Sequence, residues 1–450
     1  MKNKKPMGQE ALGTLSIGRL IMKMSLPIMM SMLIQSLYNV VDSIFVSWIS
    51  EEAITAVSLA FPLQGLLIAF SVGTGVGTQS LLSRKLGERN EKESIAVREH
   101  GIFLALVTWL VFAVSAIFLS RPFMGLFTKD GNLLRLSLVY IRIVLLLSIG
   151  MFVSVMLERL MQAYGDSFHS MITQASGAII NIILDPIMIF GFKLGVAGAA
   201  IATVIGQWVS CALGFYFLRK YSGITVSLRG FKPNRRIVKG IYAVGVPQIC
   251  TSSLLTVMVS AINTLLISFS TTAVAVFGIY GKLQSFVFMP IFGLSAGTVP
   301  IIGYNYGARN RHRITETVRK SIMISFTFMG LGFIVFQLLP DKLLSVFNAT
   351  PEMLEIGIPA LKIISWSFLL ASISIAMSSS FQGTGVGFYA LIQGFIRQVV
   401  VLIPLAYVLS RFMGLYGIWI SFFLSEVAGL AVSLILYSRI YRKKIKPLED

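Results

Sequence analysis

Apolar runs long enough to cross a bilayer recur from end to end of this chain, and they leave room for few other folds. A membrane-spanning helix needs about 20 apolar residues. Twelve runs qualify, near 25–49, 56–82, 100–120, 134–157, 170–191, 195–217, 240–269, 273–303, 318–339, 353–380, 388–410 and 414–438. Of the 450 residues, 55% are hydrophobic and only 13% are charged, with a mean hydropathy of +0.81. Soluble globular domains do not reach such values. The expected fold is an all-α polytopic membrane protein with twelve transmembrane helices. The polar stretch before the first run is too long, and the run itself too long and too polar, for a cleaved signal peptide. The first helix is therefore expected to remain as an anchor.

The formal net charge is +19, yet its distribution argues against a nucleic-acid partner. No basic face with interleaved aromatics is available to track a phosphate backbone. The cations instead sit between apolar runs, as expected of cytoplasmic loops. They crowd the N-terminus (Lys2, Lys4, Lys5, Arg19, Lys23), the second loop (Arg84, Lys85, Arg89, Lys92, Arg98), the mid-chain linker, the eighth loop (Arg309, Arg311, Arg313, Arg319, Lys320) and the tail (Arg439, Arg442, Lys443, Lys444, Lys446). The alternate loops hold scattered ones only: Arg121, Lys129, Lys193, Lys342 and Arg411. Both termini are then cytoplasmic, with the chain multi-pass in the plasma (inner) membrane. Cys211 and Cys250 lie inside apolar runs and suggest neither a disulfide nor a zinc site.

The chain also repeats itself. Pro27 matches Pro247, Gly77-Thr78 matches Gly297-Thr298, and Gly87-Glu88-Arg89-Asn90 matches Gly307-Ala308-Arg309-Asn310, all separated by 220 residues. Gln162 and Gly165 match Gln382 and Gly385 at the same distance, while Gly195 and Gly198 match Gly414 and Gly417 at 219. Several matches in one register indicate a duplication. Six helices per copy is an even number, so the copies share an orientation and form two six-helix bundles related by a pseudo-twofold along the membrane normal. The expected division is an N-terminal lobe at 1–218, a cytoplasmic linker at 219–239 rich in Lys, Arg and Pro233, and a C-terminal lobe at 240–450. A duplicated bundle of this kind implies a rocking transporter with its substrate between the lobes.

Polar residues inside the runs supply candidates for its chemistry. Gln35, Asn39 and Asp42 stand four and three residues apart, on one face of a helix. A carboxylate in hydrocarbon costs about 2.5–3.5 kcal/mol on insertion scales and by default marks a functional site. A second carboxylate, Asp185, follows Asn181 by one turn and precedes Pro186, which is expected to loosen the helix one turn back. Thr203 and Gln207 stand one turn apart on the sixth helix. Together these side chains would line one polar chamber in the first lobe. Two carboxylates there cannot both ionise cheaply, so one can exchange a proton. The same oxygens also suit a sodium ion. H+ and Na+ both remain open as coupling ions, and neither a metal beyond Na+ nor an organic cofactor is implied.

The second lobe differs. Ile262 and Leu405 occupy the positions 220 after Asp42 and Asp185, so neither carboxylate is duplicated. Helix seven offers Ser252, Thr256, Ser260 and Asn263 instead, and helix ten offers Ser374, Met377 and Ser378. These residues, with Arg397, are candidates for the substrate cavity. Arg397 and Glu426 can alternatively pair with each other, and Lys282 can snorkel to a helix end. Abundant Met and aromatic residues suit a soft cavity for lipophilic cations, although any one Met is as readily explained by packing.

One enzyme motif occurs, Gly293-Leu294-Ser295-Ala296-Gly297, which fits G-x-S-x-G. It lies in an apolar helix with no strand before it, where small residues mark close helix packing. His100, His169 and His312 fall near loops, away from Ser295. An intramembrane serine hydrolase using Ser295 is the reading of another class, and the chain is expected not to be an enzyme. Neither G-x-x-x-x-G-K-[ST] nor H-E-x-x-H is present.

At this point the residues resemble a known family, the multidrug and toxic compound extrusion (MATE) transporters. The resemblance covers nearly the whole chain, through LPIMMSMLIQSLYNVVDSIFV, LLSRKLGERN, QAYGD, NIILDPIMIFGFKLGVAGAAIATVIGQ, FMPIFGLSAGTVPIIGYNYGARN and IRQVVVLIPLAYVL in that order. It implies two six-helix lobes in a V, and antiport of H+ or Na+ against amphipathic or cationic drugs and toxic compounds. It further implies that Asp42, Asn181, Asp185 and Thr203 form the cation and proton site. Some members use carboxylates in helices seven and ten as well, and their absence here implies coupling through the N-terminal lobe alone. The rival within transport is a flippase for lipid-linked oligosaccharides of the same superfamily, for which only Arg397 and Lys282 would serve a pyrophosphate. The expected partners are small-molecule substrates and the lipid bilayer, with no obligate protein partner.

Overall fold

The structure, a computed structural model, describes residues 7–448, so Lys2, Lys4 and Lys5 lie outside the described residues. A short α1 (Met7–Thr14) precedes α2 (Ile17–Ser47), α3 (Glu51–Gly87), α4 (Glu91–Phe118), α5 (Ser120–Gly125), α6 (Gly131–Leu146), α7 (Ile149–Ala163), α8 (Ser167–Pro186) and α9 (Val196–Lys220). The second half comprises α10 (Arg235–Ile267), α11 (Thr271–Gly307), α12 (Arg311–Leu338), α13 (Pro340–Ser345), α14 (Pro351–Gly383), α15 (Gly387–Phe395), α16 (Ile403–Met413) and α17 (Leu415–Ile440). Among the described residues eleven helical stretches are long and apolar enough to cross a membrane, and the pair α6–α7, bent by 46°, makes a twelfth. This is a multi-pass all-α membrane protein.

The duplication is written into the backbone. Ser50 and Ser270 cap α3 and α11 by accepting from Ala53 N and Ala273 N, and Asn90 and Asn310 cap α4 and α12 by accepting from Glu93 N and Arg313 N. Each such bond satisfies an amide that a helix start leaves free. The turns before those Asn caps place Arg89 and Arg309 at φ 56° and 59°. Gly195 and Gly414 adopt φ 54°, ψ −131° and φ 59°, ψ −138°, a region open to glycine alone. The 220-residue register therefore records shared local geometry.

Helix ends depart from the expected spans where polar residues are buried. α3 runs from Glu51 to Gly87 rather than 56–82, extended at its start by the Ser50 cap and at its end past the buried Ser83. The mid-chain connection narrows to 221–234, since Arg219 and Lys220 end α9, where cations favour the helix dipole. The run 134–157 is two helices, interrupted at Leu147 and Ser148. Its counterpart α14 passes the equivalent point unbroken. The bend leaves the Leu146 carbonyl for Trp109, whose indole Nε1 donates to it at 3.1 Å. The looser turn near Pro186 also lies elsewhere than expected: α8 stays regular to Pro186 and a wider π-turn follows at Ile187–Gly191, closed by Phe192 N donating to Ile187 O.

The bundles have separate apolar cores and meet at one end. A Cβ on Gly73 would collide with Ile249, and one on Gly293 would lie 2.8 Å from Met29; Gly77 and Gly297 press likewise on Gly245 and Ser25. Every contact reappears 220 residues on with the partners exchanged, the signature of a twofold interface. α1 closes over this end. Leu12 joins Ile17, Leu20, Met24, Leu294 and Ile301 in one cluster, and Arg313 donates to the carbonyls of Leu12 and Leu15 at 3.1 and 2.9 Å. The basic loops lie at the same end. Toward the other end, Gly65, Gly278 and Gly281 face open space.

Candidate functional site

The site begins with two glycines. α8 and α9 cross at Gly177 and Gly206, where a Cβ on Gly206 would lie 2.6 Å from the Gly177 carbonyl. Ser210 fixes the crossing by donating to Thr173 O at 2.9 Å. This brings Asn181, one turn past Gly177, against Thr203, nearly one turn before Gly206. With the Asn181 amide oriented to satisfy both neighbours, its nitrogen donates to Asp185 Oδ2 at 3.0 Å and its oxygen accepts from Thr203 N at 2.9 Å. Asn181, Asp185 and Thr203 are all buried.

α2 packs along α8 and adds Tyr38 and Asp42. The Tyr38 hydroxyl faces Thr203. The carboxyls of Asp42 and Asp185 face each other closely enough to share a hydrogen bond when one carries a proton. Asp42 Oδ1 is buried and has no partner among the described residues. Two ionised carboxylates are acceptors only and repel. A proton or a cation between them supplies what the pair lacks.

The structure thus gathers Asp42, Asn181, Asp185 and Thr203. Gln207 lies one turn past Thr203 with a buried Oε1 that lacks a protein partner. Gln35, like Asp42, is half-buried, whereas Asn39 is exposed. Tyr38 also reaches this site, and its i, i+4 spacing to Asp42 was the available signal. Tyr140 on α6, buried with its hydroxyl facing Gln64, had no such spacing to reveal it. Arg142 and the buried pair Glu158 and Arg159 also escaped the sequence reading, although charges within the run 134–157 and at its end were visible. Arg159 donates to Gln162 Oε1 at 3.0 Å, which also accepts from Gln79 at 3.0 Å.

In the second bundle Ser252 is half-buried and bonds Gln248, Thr256 and Ser260 are exposed, and Asn263 and Ser378 are half-buried. Ser374 and Met377 are buried within α14. Arg397 donates to Glu426 Oε1 at 2.8 Å, so its charge is committed inside its own bundle. Lys282 is exposed, with its Nζ 5.8 Å from the Phe347 ring. Ser295 is half-buried in α11, and no histidine reaches it. His100 bonds Ala96 O and Asn234 N, His169 bonds Asp166, and His312 lies near Glu316.

Comparison with known proteins bears on this arrangement. A family model described as MatE matches residues 27–187 and 247–408. The chain is 30% identical over 427 residues to the multidrug export protein MepA of Staphylococcus haemolyticus, covering 94% of each, and 30% identical over 422 residues to MepA of Staphylococcus aureus, covering 93% of each. It superposes with a TM-score of 0.92 at 26% identity on an outward-facing multidrug resistance MATE family transporter of the MOP superfamily, covering 98% of this chain and 100% of the other. A MOP superfamily transporter from Pyrococcus furiosus, described as having a binding pocket of reverse polarity that suggests a different function, gives 0.93 at 26% identity and covers 99% and 100%.

Proposed function

The chain belongs to the MatE family, and on that premise we propose that it is a secondary antiporter of the plasma membrane, exporting amphipathic or cationic drugs and toxic organic compounds in exchange for H+ or Na+. The observation that carries this reading is the Asp42–Asp185 pair beside Asn181 and Thr203 in one bundle, with one carboxylate oxygen of Asp42 buried and left without a protein partner.

Substrate reaches the space between the bundles from the cytoplasm, where both termini and the basic loops lie. After the bundles rock into the arrangement seen here, closed at the basic end, H+ or Na+ arrives from outside and bridges Asp42 and Asp185. Because α2 carries Asp42 at one end and packs at Ser25 and Met29 against α11 at the other, occupancy of the site acts on the bundle contact, and movement near Pro27 lowers affinity for substrate. Coupling requires only that ion and substrate favour different states. Ser252, Thr256, Ser260, Asn263 and Ser378 supply polar surface for a varied cation. The flippase alternative loses support because Arg397 is neutralised by Glu426.

The test is uptake of a fluorescent lipophilic cation into proteoliposomes under a pH gradient or a sodium gradient, with wild type and Asp42→Asn compared. Uptake driven by one gradient and lost in the variant is the expected result and identifies the ion. Folded wild type that responds to neither gradient overturns the antiport reading.

A further inference from the structure

At the end opposite the N-terminus, Arg121 on α5 and Arg135 and Arg142 on α6 line one cavity of about 310 Å³ with Leu134, Leu138 and Val139. Arg135 and Arg142 are seven residues apart, on the same face of α6 two turns removed. Arg142 stands eleven residues into the helix, about 16 Å along its axis at the α-helical rise, on an exposed surface of that helix. Its Nε donates to Ser120 Oγ at 3.0 Å, which draws the guanidinium up toward Arg121. Among the described residues none of the three arginines is in an ion pair.

Two carboxylates of the neighbourhood bond neutral amide groups and not the arginines. Asp130 accepts from the amides of Asn132 and Leu133 at 2.9 Å, and Glu52 accepts from Asn132 Nδ2 at 2.8 Å. The capped amides cannot then serve as the anion site, and the cluster keeps its positive charge. A guanidinium at the depth of Arg142 is costly unless an anion covers it. Basic residues are otherwise sparse at this end, so positive charge is concentrated where a membrane protein ordinarily avoids it.

An apolar groove adjoins the cluster. Leu110, Val111, Val114, Phe118 and Leu119 line a second cavity of about 510 Å³ along α4, and this surface leads directly into Ser120 and Arg121. We propose that the two cavities together bind one anionic glycerophospholipid of that leaflet, its phosphate on Arg121, Arg135 and Arg142 and an acyl chain along the α4 groove. Guanidinium forks match phosphate oxygens. A zwitterionic headgroup fits less well, because its ammonium meets three cations. The site is independent of the transport reading.

Native mass spectrometry of the protein released from nanodiscs with equal phosphatidylglycerol and phosphatidylethanolamine tests this. Wild type retains one phosphatidylglycerol in preference. The variant Arg121→Gln/Arg135→Gln/Arg142→Gln loses that retention at least tenfold, while Lys342→Gln/Arg411→Gln, changed at the same end of the other bundle, keeps it. Should the triple variant misfold, Arg135→Gln alone leaves the Arg142–Ser120 bond intact and still lowers retention severalfold. Equal retention of the two lipids by wild type, or unchanged retention in folded Arg135→Gln, overturns the proposal. So does thermal protection of wild type by inorganic phosphate equal to that by phosphatidylglycerol, which would assign the cluster to a free anion.

Discussion

Gly87 and Gly307 are counterparts across the pseudo-twofold, and each seats on the other's helix: a Cβ on Gly87 would strike the Tyr304 carbonyl, and one on Gly307 the Arg84 carbonyl. Tyr304 is itself 220 residues beyond Arg84. The closed end is therefore a self-complementary contact of backbone on backbone, which cannot yield as a flexible side chain would.

Alanine at either glycine should oppose this closure without disturbing either core. Overpacking costs about 1–3 kcal/mol, which moves a two-state equilibrium by roughly 5–150-fold. Spin labels placed on the two bundles at the basic end should report longer distances in both Gly87→Ala and Gly307→Ala, to a similar degree. Distances equal to those of wild type would sink the idea that these contacts hold the end shut.

The expected architecture was legible because each of its signals is local. Apolar run length reports a span, and the paired Ser50/Ser270 and Asn90/Asn310 caps report the register of the duplication. Asp42 and Asp185 were legible because a carboxylate in an apolar run stands out. Tyr140 was not, since its place beside the site comes from the packing of α6 and from no spacing in the chain. The α6–α7 bend was hidden as well: no proline marks it, and the bond that satisfies Leu146 comes from Trp109 on another helix.

Asn181 holds the carboxylate and the neighbouring helix together, so its removal should cost stability as well as coupling. Asn181→Ala leaves Asp185 Oδ2 and Thr203 N without the bonds described above, and an orphaned buried polar group costs about 1–3 kcal/mol. Thermal unfolding in detergent should shift down by several degrees on that scale. An unchanged melting temperature would mean that the amide contributes nothing to the α8–α9 contact.

Arg397 and Glu426 predict a contrast between single and double variants. Their side chains are 20% and 12% exposed and their contact is 2.8 Å. Removing one partner of a buried pair costs about 3–5 kcal/mol because the other charge is stranded. Arg397→Ala should therefore destabilise strongly, and adding Glu426→Gln should restore much of the loss. Affinity for a lipophilic cation should change little in the double variant. If affinity collapses while the fold is retained, Arg397 contacts substrate instead.

The bend between α6 and α7 occurs only in the bundle that carries Asp42 and Asp185, while α14 runs straight through the equivalent point. A break in a span exposes backbone groups that lipid cannot satisfy. Here the freed Leu146 carbonyl takes its hydrogen from Trp109 Nε1, so the bend depends on a side chain of α4. The same bend lets α6 bring Tyr140 to the site while α7 begins against Gln207 and Trp208, where a Cβ on Gly150 would lie 3.0 Å from Trp208 N. Trp109→Phe keeps an aromatic ring, though a smaller one, and deletes the donor. It should lower stability by about 1–3 kcal/mol and weaken the response of transport to the coupling ion, because Tyr140 is then less firmly placed. Trp109→His, with a ring N–H of its own, should recover part of both. Thermal unfolding and the ion dependence of uptake, measured side by side, decide the matter: loss of stability with an unaltered ion dependence would make the bend a packing feature with no part in coupling.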